Sequence, residues 1–454
     1  MGYVTYLGIA PLIVAVLIAV MWAYSYLVLA LARNVLFGAA TLLILYVAET
    51  TLIVLPRIHL YLYIYPQDIV ISLLVAAGVL RLFWLRELGG RRMLLGIVFL
   101  LLLMSIGRGL VIFGAKAAGN ESRFDWWFLA AVPYFASFRY SRELSEKMMV
   151  YWMKAALALC ALVVFRWTAT FLHLGIAGQW EVAVGTNIYP MRVVGYECAY
   201  FLLIGSLISV HLILTGNATR WHRWMLYLSA PISMMLEHRT VWVCGAIAAL
   251  LFVLYTRRVP RQMLIAVLSL LFVMAILVTA FVIGPGSKVQ HSYGVAVENS
   301  DDWTWRVDGW TDLYEDHFND TVSTLFGEPY GSGMGRFAAG QFVDTIAHNE
   351  YLQLALRIGV VGLLCFVGIY VSSLWTIHFA SRDHAGLLFP GKNFWRIWIF
   401  MSFACFVTYS ASYSQSMLFG MLISVSTSVG SQAAYDRRAR FHLLQTSLNK
   451  AVPV

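Results

Sequence analysis

The sequence is poor in charge: only 12% of its 454 residues are Asp, Glu, Lys or Arg, against roughly 25% in an average soluble domain. That shortage excludes a soluble globular enzyme and a disordered chain. Cysteine is scarce as well. The five residues Cys160, Cys198, Cys244, Cys365 and Cys405 all lie in apolar stretches, and none forms a Cys-x-x-Cys pair. A disulfide scaffold and a cysteine zinc framework are therefore excluded. Long unbroken apolar runs argue against a transmembrane β-barrel, whose strands alternate. No internal repeat of 20–50 residues and no low-complexity tract occurs. The first apolar run has neither a basic segment before it nor a convincing cleavage site, so it reads as a retained span.

What is present is apolar: 60% of the residues are hydrophobic. A spanning helix needs about 20 apolar residues, so the chain holds enough for about a dozen. The runs fall at 5–32, 35–55, 69–85, 93–113, 126–138, 149–172, 191–215, 222–238, 240–256, 262–284, 354–379, 395–413 and 416–432. The first is long enough for a bent pair, and 126–138 is short. The expected fold is an all-α polytopic membrane protein of 12–14 spans. Residues 1–284 would form transmembrane helices with short loops and 354–432 the C-terminal helices, with 433–454 as a basic cytoplasmic tail.

The net charge of +9 suggests nucleic acid only in a soluble protein; here it follows the excess of Lys and Arg in cytoplasmic loops. Arg33, Arg86, Arg91, Arg92, Arg139, Arg142, Lys147, Arg220, Arg223, Arg257, Arg258, Arg261, Arg382, Lys392 and Arg396 fall on alternate loops. The opposite side then receives 56–68, 114–125, 173–190, the turn at 238–240 and the long segment 285–353. This last segment is the only sizeable polar region, and loops of that length are functional or disordered. Trp303, Val307, Trp310, Leu313 and Tyr314 recur at three- and four-residue spacing, which predicts an amphipathic helix over 303–320.

A few cations are not explained by the loop rule. Arg239 sits at the turn Glu-His-Arg-Thr, Arg192 opens a span on the same side, Arg306 lies in the amphipathic helix, and Arg336 follows a glycine cluster. Arginine keeps its charge and binds phosphate bidentately, so several converging would hold a pyrophosphate. Each alone pairs as readily with a carboxylate or lipid headgroup. Arg81, Arg108, Lys154 and Arg166 lie nearer span ends and read as snorkelling residues; Arg357 opens a span and suits either role. His348, in Ala-His-Asn-Glu-Tyr-Leu, has the titration range of a general base, though capping is a common use of such a histidine. His291 and His317 have no comparable setting. Glu197 lies inside a span, where carboxylates are functional suspects or pair with an Arg.

No His/Cys/Asp/Glu spacing matches a zinc site, and the Asp301-Asp302 pair offers only a weak metal candidate. Gly331-Ser-Gly-Met-Gly335 lacks the Lys-Ser/Thr of a phosphate-binding P-loop. It reads equally as a plain turn or as one bringing backbone amides to a ligand.

Three blocks together resemble the O-antigen ligase and polymerase superfamily. The first is Glu237-His-Arg239-Thr-Val-Trp. The second is Trp305-Arg306-Val-Asp-Gly-Trp310, followed by Phe326-Gly-Glu-Pro-Tyr-Gly331-Ser-Gly-Met-Gly335-Arg-Phe. The third is His348-Asn-Glu-Tyr351-Leu-Gln-Leu-Ala-Leu-Arg-Ile-Gly359-Val-Val-Gly362-Leu. They keep the family's order over residues 225–380. Two details depart from it: His238 replaces a usual Ser, and the Pro before the glycine turn comes as Glu328-Pro329.

The resemblance implies a GT-C-like glycosyltransferase in the bacterial inner membrane, with its site facing the periplasm. It would move a glycan from undecaprenyl pyrophosphate to a hydroxyl of lipid A–core. His348 would be the base, Arg239 and Arg306 the phosphate-binding residues, and Arg192, Arg336 and Tyr351 further substrate contacts. No metal and no cofactor is implied. A repeat-unit polymerase uses the same donor and the same blocks. A lipid-linked glycan flippase or transporter also explains many spans, but such proteins carry repeat symmetry, which is not seen here.

Overall fold

A computed structural model describes residues 2–52, 56–59, 63–84, 90–172, 174, 182–184, 187–189, 192–255, 301–380 and 387–451. The expected span 262–284, the basic positions Arg86, Arg257, Arg258, Arg261 and Arg382, His291, and most of the expected loop 173–190 lie outside the described residues.

The described chain is mostly helical. In order come α1 (Gly2–Arg33), α2 (Val35–Thr51), α3 (Pro66–Trp84), α4 (Gly90–Ile112), α5 (Gly114–Ala136), α6 (Arg142–Phe171), α7 (Tyr196–Leu214), α8 (Arg220–Met235) and α9 (Arg239–Tyr255). Then follow α10 (Asp301–His317), α11 (Thr321–Phe326), α12 (Glu350–Phe379), α13 (Lys392–Phe406) and α14 (Gln415–Ala451). Three antiparallel hairpins sit in the connections: β1 (Ile58–His59) with β2 (Tyr63–Ile64), β3 (Val182–Val184) with β4 (Asn187–Tyr189), and β5 (Gly335–Ala338) with β6 (Gln341–Asp344).

Every expected span within the described residues contains a helix or part of one. Among them, 6 are long and apolar enough to cross a membrane: Val14–Arg33, Gly90–Ile112, Arg142–Thr170, Tyr196–Leu214, Glu350–Phe379 and Gln415–Asp436. Val35–Thr51 and Arg239–Tyr255 are shorter apolar helices. Trp22, Ile44, Val111 and Leu364 point outward and are each more than half exposed, a surface suited to lipid and costly in water. Polar caps start the helices where the sequence supplies them. Asn34 accepts from the Leu36 amide at 3.0 Å, Ser141 from Leu144 at 3.2 Å and Asn349 from Leu352 at 3.0 Å, satisfying amides that have no partner inside the helix.

The centre of the bundle is α5, packed by α3, α4 and α14. Small residues permit this approach: a Cβ on Gly78 would sit 3.1 Å from Tyr134 Cα, and one on Gly420 would sit 2.9 Å from the Ala136 amide. Aromatic rings fill the layer beside it, with Tyr370 stacked on Phe419 at 4.5 Å.

The structure corrects several expectations. The segment 126–138 is only the second half of α5. The first half carries Glu121 and Asp125, which are polar because they bind the long loop. Residues 192–195 and 407–413, expected inside spans, are irregular backbone. Residues 193–195 and 410–413 line a cavity, and side chains bond the peptide groups of Val193, Val194, Thr408, Ser410 and Ala411, which is how non-helical backbone is tolerated within a bundle. The basic tail continues α14 without a break as far as Ala451. Arg81 does not snorkel: it donates to the Ala32 carbonyl at 2.7 Å and to Ser137 Oγ at 2.9 Å, over the Phe138 ring. The amphipathic helix expected over 303–320 is α10.

Candidate functional site

The loop that carries the expected site is clamped to the bundle by two glycines and an ion pair. In α12, Gly359 has φ 71° and ψ 173° inside the helix, which breaks it into two pieces. That conformation is essentially restricted to glycine, and it brings Gly359 against the Leu325 carbonyl of α11. Gly327 (φ 79°) closes the reverse contact against Arg357. The break lets the Glu328 amide donate to the Leu356 carbonyl at 2.7 Å. From α4, Ser105 Oγ donates to the Glu328 carbonyl and Arg108 to the Gly327 carbonyl, both at 2.6 Å. Arg108, expected at a headgroup, thus binds the loop.

The turn Gly331–Gly335 does cradle an anion, and the anion is the protein's own. Glu121 Oε2 accepts from the Gly331 amide at 2.6 Å and the Gly333 amide at 3.1 Å, while its other oxygen pairs with Arg357. Arg357 also donates to Ser332 Oγ at 2.6 Å. Beneath them Asp125 accepts from Tyr330 Oη at 2.7 Å and from Gln353 at 2.5 Å, and Gln353 accepts from Ser410 at 3.1 Å. Of the two uses expected for this turn and for Arg357, the structure gives them internal anchorage. Glu328 Oε2 also lies 2.8 Å from His317 Nδ1. Burial pushes the Glu328 carboxyl up, but His317 and Arg357 outweigh it and hold it below its ordinary value.

Three of the expected arginines are brought together by a continuous series of contacts. Arg306 donates to the Thr408 carbonyl at 2.7 Å. Thr408 Oγ1 lies 2.6 Å from Thr240 Oγ1, the neighbour of Arg239 at the start of α9. Arg192 donates to the Glu237 carbonyl at 3.0 Å, and His238 Nε2 meets the Val194 carbonyl at 3.1 Å. The guanidinium of Arg306 lies 5.3 Å from the Tyr409 ring, which stacks on Tyr196 at 3.7 Å. The three arginine side chains are half-buried. Arg239 also stands at a helix N-terminus, where the open amides and the dipole favour an anion.

His348 lies beside this cluster. Trp310, one turn after Arg306, donates to the Ala347 carbonyl at 2.7 Å. Two residues beyond His348, Glu350 accepts from the Ala411 amide at 2.9 Å. His348 itself has φ 51°, and Glu237 has φ 57°. They are two of the three non-glycine residues with positive φ among those described, and such conformations gather at functional sites.

Arg336 and Tyr351 are placed elsewhere. Arg336 is buried and donates to the carbonyls of Met334 (3.1 Å), Thr345 (2.7 Å) and Ile346 (3.1 Å), closing the β5–β6 hairpin. Burial lowers its pKa from the ordinary value, against the pull of Asp344. Tyr351 Oη donates to the Phe403 carbonyl at 3.0 Å, inside the bundle.

Next to the arginine cluster is a cavity of about 360 Å³. Its walls include Glu49, Glu197, Arg166 and the irregular stretch 410–413. Arg166 does not reach headgroups: it is buried, donating to the Val193 carbonyl at 2.7 Å and to Thr50. Tyr413 Oη donates to Glu49 Oε2 at 2.5 Å. Sequence reasoning missed Glu49, Glu121, Asp125 and this cavity wall. One signal was available, the hydroxyl-rich run Thr408-Tyr-Ser-Ala-Ser-Tyr-Ser414 between two apolar helices. Among the described residues no group of three His, Cys, Asp or Glu is placed to hold a metal ion, and the side chains of Asp301 and Asp302 are outside the described set.

No protein-family model matches the chain, and no curated protein matches its sequence.

Proposed function

We propose that this protein is an inverting, lipid-pyrophosphate-dependent glycosyltransferase, and specifically a ligase that joins O-antigen to lipid A–core at the periplasmic face of the inner membrane. One observation supports the reading: the stretches that carry Arg192, Arg239 and Arg306 are linked through Glu237, Thr240 and Thr408 next to a cavity, and His348 lies two residues from the cavity-wall residue Ile346. The three sequence blocks that resemble the superfamily contribute two of these arginines and the histidine. The bundle would be GT-C-like, with 12–14 spans.

In this reading the arginines bind the undecaprenyl pyrophosphate and stabilise the charge that grows on it as it leaves, the electrostatic part of the catalysis. An acceptor hydroxyl attacks the anomeric carbon from the opposite face. The bond from that carbon to the pyrophosphate oxygen breaks, His348 takes the hydroxyl proton, and the configuration inverts. Arg336 and Arg357 act by holding the loop rather than by touching the donor.

A deletion strain tests the assignment. Loss of a ligase leaves core-only lipopolysaccharide with polymer retained on the lipid carrier. Core bearing a single repeat would instead identify a repeat-unit polymerase, and absence of glycan from the outer side of the membrane would identify a flippase.

A further inference from the structure

The cavity beside the arginines has the wrong lining for a pyrophosphate and the right chemistry for a sugar. Two carboxylates, Glu49 and Glu197, line it against the single guanidinium of Arg166, whose donors already serve backbone carbonyls. A pyrophosphate entering here would meet two carboxyl groups and a guanidinium already committed to backbone carbonyls. Sugar hydroxyls, by contrast, donate well to carboxylates, and sugar C–H faces lie well on aromatic rings. Tyr46, Trp127 and Tyr413 supply such rings, with Trp127 and Tyr413 edge-to-face at 6.2 Å.

A second observation points to a ligand. Tyr46 is 4% exposed and lines the cavity, yet its hydroxyl has no hydrogen-bond partner among the described residues. A buried hydroxyl without a partner is unfavourable, and a sugar hydroxyl would satisfy it. The volume of about 360 Å³ lies at the lower end of small-molecule sites, about 300–1,000 Å³.

We infer that the Glu49–Glu197 cavity is the acceptor subsite, binding the terminal sugars of the acceptor through carboxylate and Tyr46 hydrogen bonds while the arginines hold the donor. The inference rests on the glycosyl-transfer reading and assigns its second substrate. Charge sorts the two: the anionic donor is drawn to Arg192, Arg239 and Arg306 and kept out of the acidic cavity. His348 follows Ile346, a cavity-wall residue, and precedes Glu350, which grips the wall at Ala411. A base there stands between the two substrates.

The test is binding of lipid-free core oligosaccharide to purified full-length protein in detergent, measured by calorimetry, with undecaprenyl pyrophosphate binding measured alongside. Glu49→Gln, Glu197→Gln and Tyr46→Phe should each weaken oligosaccharide binding at least tenfold and leave donor affinity within twofold. Tyr46→Phe removes a hydroxyl without a partner, so it should fold and melt as the wild type does and keeps the test open if a glutamate variant misfolds. Oligosaccharide affinity unchanged in Tyr46→Phe and in the folded glutamate variants would overturn the subsite, as would no binding to the wild type. Binding that depends on these side chains supports the subsite even without glycan transfer, and that absence of transfer would overturn the transferase reading instead.

Discussion

Replacing Glu121 by Ala should release the loop that carries Arg306 and His348. Glu121 is the counter-charge of Arg357, whose side chain is only 1% exposed, and it accepts two amides of the glycine turn. Removing one partner of a buried pair costs about 3–5 kcal/mol, because the other charge stays buried and unpaired. Glu121 itself is 17% exposed, and Glu328 Oε2 remains 3.8 Å from Arg357, so the lower end applies, about 3 kcal/mol. Local opening should then become easier by about two orders of magnitude. Amide hydrogen exchange in detergent, read on peptides covering 326–336, measures this directly. Glu121→Gln keeps an acceptor oxygen and loses the charge, so its exchange should fall between wild type and Glu121→Ala. Wild-type exchange rates in Glu121→Ala would refute the clamp.

Other outcomes follow from the same geometry. Gly359→Ala places a Cβ against the Leu325 carbonyl in a conformation costing of order 1–3 kcal/mol for any other residue; it should lower the melting temperature and expose α11 to protease. Gly368→Ala, whose Cβ would meet only Leu94 Cδ1 at 3.7 Å, should not, and equal behaviour of the two would refute the kink contact. Glu328 sits below its ordinary carboxylate value in the folded protein. Its contribution is therefore complete above the unfolded value, about 4.3, and lost as pH falls through the lower folded one. Glu328→Gln should remove that acid-dependent part of loop protection, and parallel acid profiles in wild type and variant would contradict the assignment. Arg306→Ala should weaken undecaprenyl pyrophosphate binding at least tenfold, since a hydrogen bond to a charged group contributes about 1.5–3 kcal/mol; unchanged affinity would remove Arg306 from the donor site.

The helices were legible because apolar runs report burial or lipid contact locally. What the runs could not report is where polar side chains go. Arg108 and Arg166 look like headgroup residues in one dimension, yet their partners are carbonyls at Gly327 and at Val193 and Thr50. Glu121 drew no attention because the amides it binds lie 210 and 212 residues along the chain. The broken ends of the expected spans, 192–195 and 407–413, are mostly uncharged, so hydropathy merges them with their helices. Arg192, Arg239, Arg306 and His348 stand out by residue type and position, and the contacts at Thr408, Thr240 and Glu237 link the stretches that carry the three arginines.

Glycan transfer from a lipid pyrophosphate by His348 and the arginine cluster, as proposed, is most directly tested in vitro. Purified protein in detergent, supplied with undecaprenyl-pyrophosphate-linked glycan and lipid A–core, measures it by the appearance of glycosylated lipid A–core. The wild type should transfer glycan and His348→Ala should not at equal protein level, with donor binding kept in that variant. Wild-type turnover in His348→Ala, or no transfer by the wild type, would contradict the proposal.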